Sequence, residues 1–332
     1  MLKLKYLYEN FDLAKAALKN WPHDSDGLDK LLAQFRISNN ATYPFQQNGA
    51  LCFLRLTPTE ERQERNLLGE LEFVEYLNRQ SYPALRYLPS LSGKKLLRLS
   101  TPWGSYYAVA FQAVPGVPLG QAALTSDVMR AYGRALGQLH ALAAEYRPKT
   151  KKWSHLEALD WIDRVLVRYD APGEIAAFSR KLRKELAALP ETSANYGLIH
   201  YDFECDNVFF DSGTVSCWVI DFDDGMYHWY AMDIERALSA LGEDSEELGL
   251  TGQRLEEAES EFLCGYREEY LYTQEMEQFR PFLRQFETLH TYAKLIRCVA
   301  EKHPNEPDWI TQLRGKLDAV ITQKSEAILT AQ

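Results

Sequence analysis

The chain has 332 residues, 46% apolar and 25% charged, which suits an ordinary soluble globular protein of one large domain or two lobes. A formal net charge of −10 argues against a nucleic-acid partner, because a phosphate backbone demands the opposite sign. No run approaches the ~18 uninterrupted apolar residues of a membrane span, and five scattered cysteines without a CxxC pair point to reduced thiols in a cytoplasm.

In chain order, the opening MLKLKYLYENFDLAKAAL is broken by Glu9, Asn10 and Asp12, so it lacks the continuous apolar region of a signal peptide. Asn48-Gly49 before the extended run Ala50–Leu56 predicts a hairpin. TPTEERQERNLLGELEFVEYLNRQ then reads as a helix capped near Thr57 or Thr59. At 100° per residue Glu70 falls among Leu67, Leu71, Val74 and Leu77 on its buried face, with Glu72 nearly opposite. Ser92-Gly93-Lys94-Lys95 turns into two further strand-like runs, LLRLS and SYYAVAFQAV. From Pro115-Gly116-Val117-Pro118 onward the chain is mostly helical, interrupted by a strand-rich island at residues 197–221. The predicted organisation is α+β: a small N-terminal lobe over 1–110, a hinge at 111–116, and a larger helical lobe over 117–332 carrying a hairpin at 197–224.

That hairpin concentrates the chemistry. HYDFECDN (200–207) lies between two apolar runs, and Ile220-Asp221-Phe222 arrives on the return strand. A tight hairpin brings Asn207 and Asp221 together, and two hard oxygen donors facing a cleft suit magnesium with nucleotide phosphates. Asp202 would stand beside them, placed to orient a substrate hydroxyl.

These strings resemble the H-x-D-x-x-x-x-N and D-F-x motifs of protein-kinase-like phosphotransferases. They look most like the aminoglycoside phosphotransferase and choline kinase branch, with Asp233-Ile234 matching its later Asp-Ile/Leu pair. The resemblance spans residues 35–300 and implies a bilobal protein-kinase-like fold that uses ATP or GTP with Mg2+. It gives Asp202 the catalytic role, Asn207 and Asp221 the metal, and His200 and Asp233 the bracing of the catalytic loop. It also implies Arg55 and Glu70 as the phosphate-binding cation and its partner, although family members usually carry lysine at the first position. The Gln112 carbonyl and Val114 N–H would meet the adenine edge. Residues 36–43 fall where the phosphate-covering loop belongs but lack its glycine pattern.

Tyr201 replaces the arginine that reads a phosphorylated activation loop in protein kinases. Only twelve residues separate Asp221 from Asp233, too few for a long activation segment. The expected acceptor is therefore a small-molecule alcohol. Residues 241–280, with 12 acidic and 3 basic side chains, and the aromatic run Tyr227–Tyr230 would suit a cationic acceptor such as an aminoglycoside or choline. The same features would equally be solvated helices and core packing, with a neutral alcohol such as homoserine as acceptor. A catalytically inactive kinase-like scaffold is the rival from a different class.

Overall fold

The computed structural model describes residues 3–4, 10–38, 40–242, 248–301 and 307–330. Two short helices, α1 (Phe11–Leu18) and α2 (Leu28–Leu32), precede the sheet. α1 supplies Leu13, Ala17 and Leu18 to a small core beneath the sheet, packed with Trp21, Phe45, Leu54 and Leu56.

The sheet has six antiparallel strands: β1 (Arg36–Ile37), β2 (Ala41–Gln47), β3 (Ala50–Pro58), β4 (Arg86–Leu88), β5 (Leu97–Thr101) and β6 (Gly104–Gln112). Its order is β1-β2-β3-β6, with β4 and β5 paired to successive stretches of β6. β2 and β3 turn at Asn48 and Gly49, both with positive φ (52° and 75°), the conformation a tight hairpin of this hand requires. Asp24 fixes the turn by accepting both of their N–H groups, at 3.0 and 2.8 Å.

Helix α3 (Glu64–Arg79) begins later than expected, with Gln63 at its cap. Thr57 is instead a strand residue, because β3 continues its pairing with β6 through Pro58 and Thr59 N–H still donates to Ser105 O.

Gly116, at φ 91°, lets the linker cross the hairpin near Phe210; a Cβ there would lie 2.4 Å from the Phe210 carbonyl oxygen. A short strand β7 (Val117–Pro118) then pairs with the hairpin itself. The remainder is helical: α4 (Ser126–Glu145), α5 (His155–Arg168) and α6 (Gly173–Ala187) precede the strands β8 (Tyr196–Leu198), β9 (Val208–Asp211), β10 (Ser216–Val219) and β11 (Tyr227–Trp229). Helices α7 (Tyr230–Ser239), α8 (Gly252–Glu269), α9 (Gln274–Val299) and α10 (Asp308–Thr330) follow. One continuous apolar core joins α3 to these helices and to the face of the hairpin that carries Val208, Phe210, Cys217 and Val219, so the loop before β9 is mounted on packed structure. Among the described residues, no helix is long and apolar enough to cross a membrane.

Candidate active site

The loop between β8 and β9 is held from beneath by Asp233, fully buried in the first turn of α7. Its carboxylate accepts the backbone N–H of His200 (2.8 Å) and of Tyr201 (2.6 Å). His140, a buried residue on α4 that the sequence reading did not single out, meets the same carboxylate at 3.1 Å and Tyr266 Oη at 2.8 Å. His200 ties the loop to the return strand. Its Nδ1 accepts Asp202 N–H (3.2 Å), which leaves Nε2 protonated to donate to Ile220 O (2.8 Å). Tyr201 (φ 67°) and Asp221 (φ 61°) both adopt left-handed backbone, costly for residues with a Cβ and concentrated where function over-determines the chain.

Asp202 and Asn207 are in direct contact: Asn207 Nδ2 donates to Asp202 Oδ2 (2.9 Å) and to its carbonyl (3.0 Å). With its amide nitrogen committed, Asn207 could offer its side-chain carbonyl oxygen to a cation. Its backbone oxygen accepts Ile220 N–H (3.0 Å), which fixes Asp221 alongside. Asp221 Oδ1 is buried and has no hydrogen-bond partner; its nearest cation is Arg55 Nη1 at 3.7 Å. Burial, helped by Asp223, Asp202 and Glu70, raises the Asp221 carboxyl well above the ordinary carboxylate range, against the pull of Arg55. An orphaned buried carboxylate oxygen beside a second oxygen donor is a set that fits a divalent cation. No group of three or more His, Cys, Asp or Glu forms a closed metal cage among the described residues.

On the sheet side, Arg55 Nη2 bonds Glu70 Oε2 at 2.8 Å, with Arg55 4% exposed and Glu70 fully buried. Tyr87 Oη donates to the other oxygen of Glu70. Glu72 lies on another face of α3 and accepts the N–H groups of Lys149 and Thr150. Gln112 ends β6 between Cys52 and Arg86, with Ala113 N–H spent on Leu51 O (3.0 Å) and Val114 following half-buried.

Cations that the sequence did not advertise hold the segment after Asp221. Arg62 bonds Asp223 (2.9 Å) and Asp224 (2.5 Å), and Lys294 bonds Asp224 (2.8 Å). The buried Lys152 Nζ donates to Phe222 O (2.7 Å) and Asp223 O (2.9 Å), and burial pulls its pKa down to about 8. Asn40, from the stretch expected to cover phosphates, donates to Asp223 Oδ2 (2.7 Å). Its neighbour Asn39 lies outside the described residues.

Beside Asp202 opens a cavity of about 840 Å³ whose wall carries five basic and five acidic side chains. Among the described residues it is not the uniformly negative wall that residues 241–280 suggested. Of that stretch Glu259 and Arg280 line the cavity, while Glu261 and Glu268 pair with Arg130 and Arg134 of α4. Glu243, Asp244, Glu246 and Glu247 lie outside the described residues. The aromatic run is packing, not a cation box: His228, Trp229 and Tyr230 are fully buried, and Tyr227 already has Lys151 Nζ 4.7 Å from its ring centre. Arg236 is a cavity residue that the sequence reading missed. A signal existed, since it lies three residues beyond Asp233 on one helix, but its partners Asp202 and Glu287 are distant in sequence.

The fold and site together define a bilobal, protein-kinase-like phosphotransferase. A family model described as "phosphotransferase enzyme family" matches residues 35–282; the chain belongs to this family and is a small-molecule phosphotransferase acting on a hydroxyl group. It is 27% identical over 239 residues to an amicoumacin kinase of Bacillus subtilis (strain 168), covering 69% of this chain and 67% of the relative. A solved amicoumacin kinase, hAmiN in complex with AMP-PNP, Ca2+ and Ami, superposes with a TM-score of 0.73 at 20% identity, covering 97% of this chain and 95% of the other. A microcompartment-associated aminopropanol kinase gives 0.68 at 21% identity, covering 97% and 98%.

Proposed function

We propose that the protein transfers the γ-phosphoryl group of ATP, bound with Mg2+, to a hydroxyl of a small polar molecule. The convergence of Asp202, Asn207 and Asp221 on one cleft beside the Arg55–Glu70 pair carries this reading. The lobes are 1–110 and 117–332, and the hinge at 111–116 receives the adenine edge at the Gln112 carbonyl and Val114 N–H. Arg55, aimed by Glu70, meets the α- and β-phosphates. Asn207 Oδ1 and Asp221 would hold Mg2+, which when bound would neutralise charge on the phosphates. A carboxylate is too weak a base to deprotonate a resting alcohol. Asp202 instead orients the hydroxyl and takes its proton as the new O–P bond forms and the bond from phosphorus to the β-phosphate oxygen breaks. His200 and Asp233 keep that carboxylate in place.

The balanced charge of the cavity favours a zwitterionic or neutral acceptor over a polycation. The test is Mg·ATP-dependent ADP release against a panel of cationic, zwitterionic and neutral alcohols, with Asp202→Ala as blank and GTP as alternative donor. Acceptor-stimulated turnover at least ~100-fold above the blank is expected; equal rates in the two proteins would end the assignment. Stimulation by aminoglycosides or choline alone would restore the cationic class.

A further inference from the structure

Arg236 sits where three carboxylates converge. Its Nη2 lies 2.7 Å from Asp202 Oδ1 and 2.5 Å from Glu204 Oε1, and its Nη1 lies 3.3 Å from Glu287 Oε1. The guanidinium carbon stands 5.4 Å from the centre of the Tyr201 ring, a face that a planar cation favours. Three separate elements thus meet on one side chain: the catalytic loop, α7, and α9 through Glu287.

The two oxygens of Asp202 are held from opposite sides. Asn207 Nδ2 donates to Oδ2 and Arg236 to Oδ1. Each carboxylate oxygen accepts two hydrogen bonds, so one lone pair on each stays available. A carboxylate gripped at one oxygen can rotate about its Cβ–Cγ bond; gripped at both, it cannot. Without Arg236, Glu204 would lose the cation it shares with Asp202 and repel that carboxylate, while Glu287 would keep Lys324 as its partner. The fork of the guanidinium suits this arrangement, because two fixed nitrogens share the three acids where an ammonium offers a single centre.

We propose that Arg236 is a positioning residue for phosphoryl transfer, fixing the Asp202 carboxylate so that its remaining lone pair meets the acceptor hydroxyl. This rests on the reading of Asp202 given above. It adds a residue that acts through that carboxylate and not on the nucleotide.

The experiment is a double-mutant cycle on kcat with Mg·ATP and the best acceptor from the panel, accompanied by Mg·ATP affinity and thermal unfolding of each variant. Arg236→Ala is expected to lower kcat by about 100-fold, the scale of a misplaced reacting group, with Mg·ATP affinity unchanged and partial recovery in added guanidinium ion. In an Asp202→Ala background the same change should cost nothing further. Arg236→Lys keeps a cation among the acids and so protects the fold. It should still lose about tenfold in kcat, because a lysine does not replace a forked contact. A wild-type kcat in Arg236→Lys, or an Arg236→Ala loss that persists in full without Asp202, would overturn the proposal. Wild-type turnover in Asp202→Ala alone would instead sink the underlying reading, so the two failures are distinguishable.

Discussion

Arg55 stands where the resemblance implied a lysine, and its surroundings use the forked shape of its guanidinium. One arm of the guanidinium bonds Glu70 and the other approaches Asp221, so the two contacts fall on separate nitrogens of a rigid planar fork. The pair is almost wholly buried, so removing one partner strands the other in a region without water. Glu70→Ala is expected to cost about 3–5 kcal/mol, read as a lower urea midpoint with unchanged slope; a loss below about 1 kcal/mol would show that Arg55 finds another partner. Glu70 was legible in advance because helical arithmetic placed a carboxylate on an apolar face, where it needs a partner. Arg62, Lys152 and Lys294 were not legible. Nothing local distinguishes a lysine that will cover two carbonyls from one that will sit in water, since their targets are 161, 70 and 70 residues away.

At the scale of elements, the tightest packing is between α4 and α8, and glycine makes it. A Cβ added at Gly133 would fall 1.9 Å from the Phe262 carbonyl oxygen, and one at Gly265 would fall 2.1 Å from that of Arg130. In each case the obstacle is backbone, which cannot rotate away. Gly133→Ala and Gly265→Ala should therefore destabilise the protein by about 1–3 kcal/mol or more from overpacking, although alanine ordinarily favours a helix by up to about 1 kcal/mol. Thermal unfolding decides between the two effects: a raised midpoint in either variant would mean that the helices are not in close contact. α4 bears His140, and through it Asp233, so the separation of these helices also bears on the catalytic loop. Element types in this region followed from apolar spacing, whereas the start of α3 did not. A strand pairing that persists through Pro58 depends on a partner almost fifty residues further along, beyond the reach of a local capping signal.

The whole molecule is clamped between its two lobes by charge. Arg62 crosses to Asp223 and Asp224, Arg297 pairs with Glu61, Asn40 bonds Asp223, and Arg36 reaches Asp206 at 3.1 Å. The bilobal plan and the catalytic strings were readable because each is local in sequence. These cross-lobe bonds were not, because they exist only once the lobes have docked. A second global property comes from the buried histidines. His140, His155, His228 and His290 are each no more than 1% exposed, and burial lowers the pKa of all four: His155 to about 4, His228 and His290 well below the ordinary value. An unfolded histidine titrates near ~6.5. As pH falls from there toward about 4, the unfolded chain binds protons that the folded one refuses, and stability must fall. The His155 share, from its ordinary value down to about 4, amounts to roughly 3 kcal/mol. Glu204 acts in the opposite direction, since burial raises its carboxyl to about 7 and its uptake of a proton between there and the unfolded value favours the fold. Comparison of the wild type with His155→Gln removes that background. The stability gap between them, from urea titrations at successive pH values, should stay constant above pH ~7, narrow by about 3 kcal/mol on descending to pH ~4, and level off below. Curves that run parallel from pH ~7 to ~4 would mean that His155 takes up its proton in the folded state as readily as in the unfolded one.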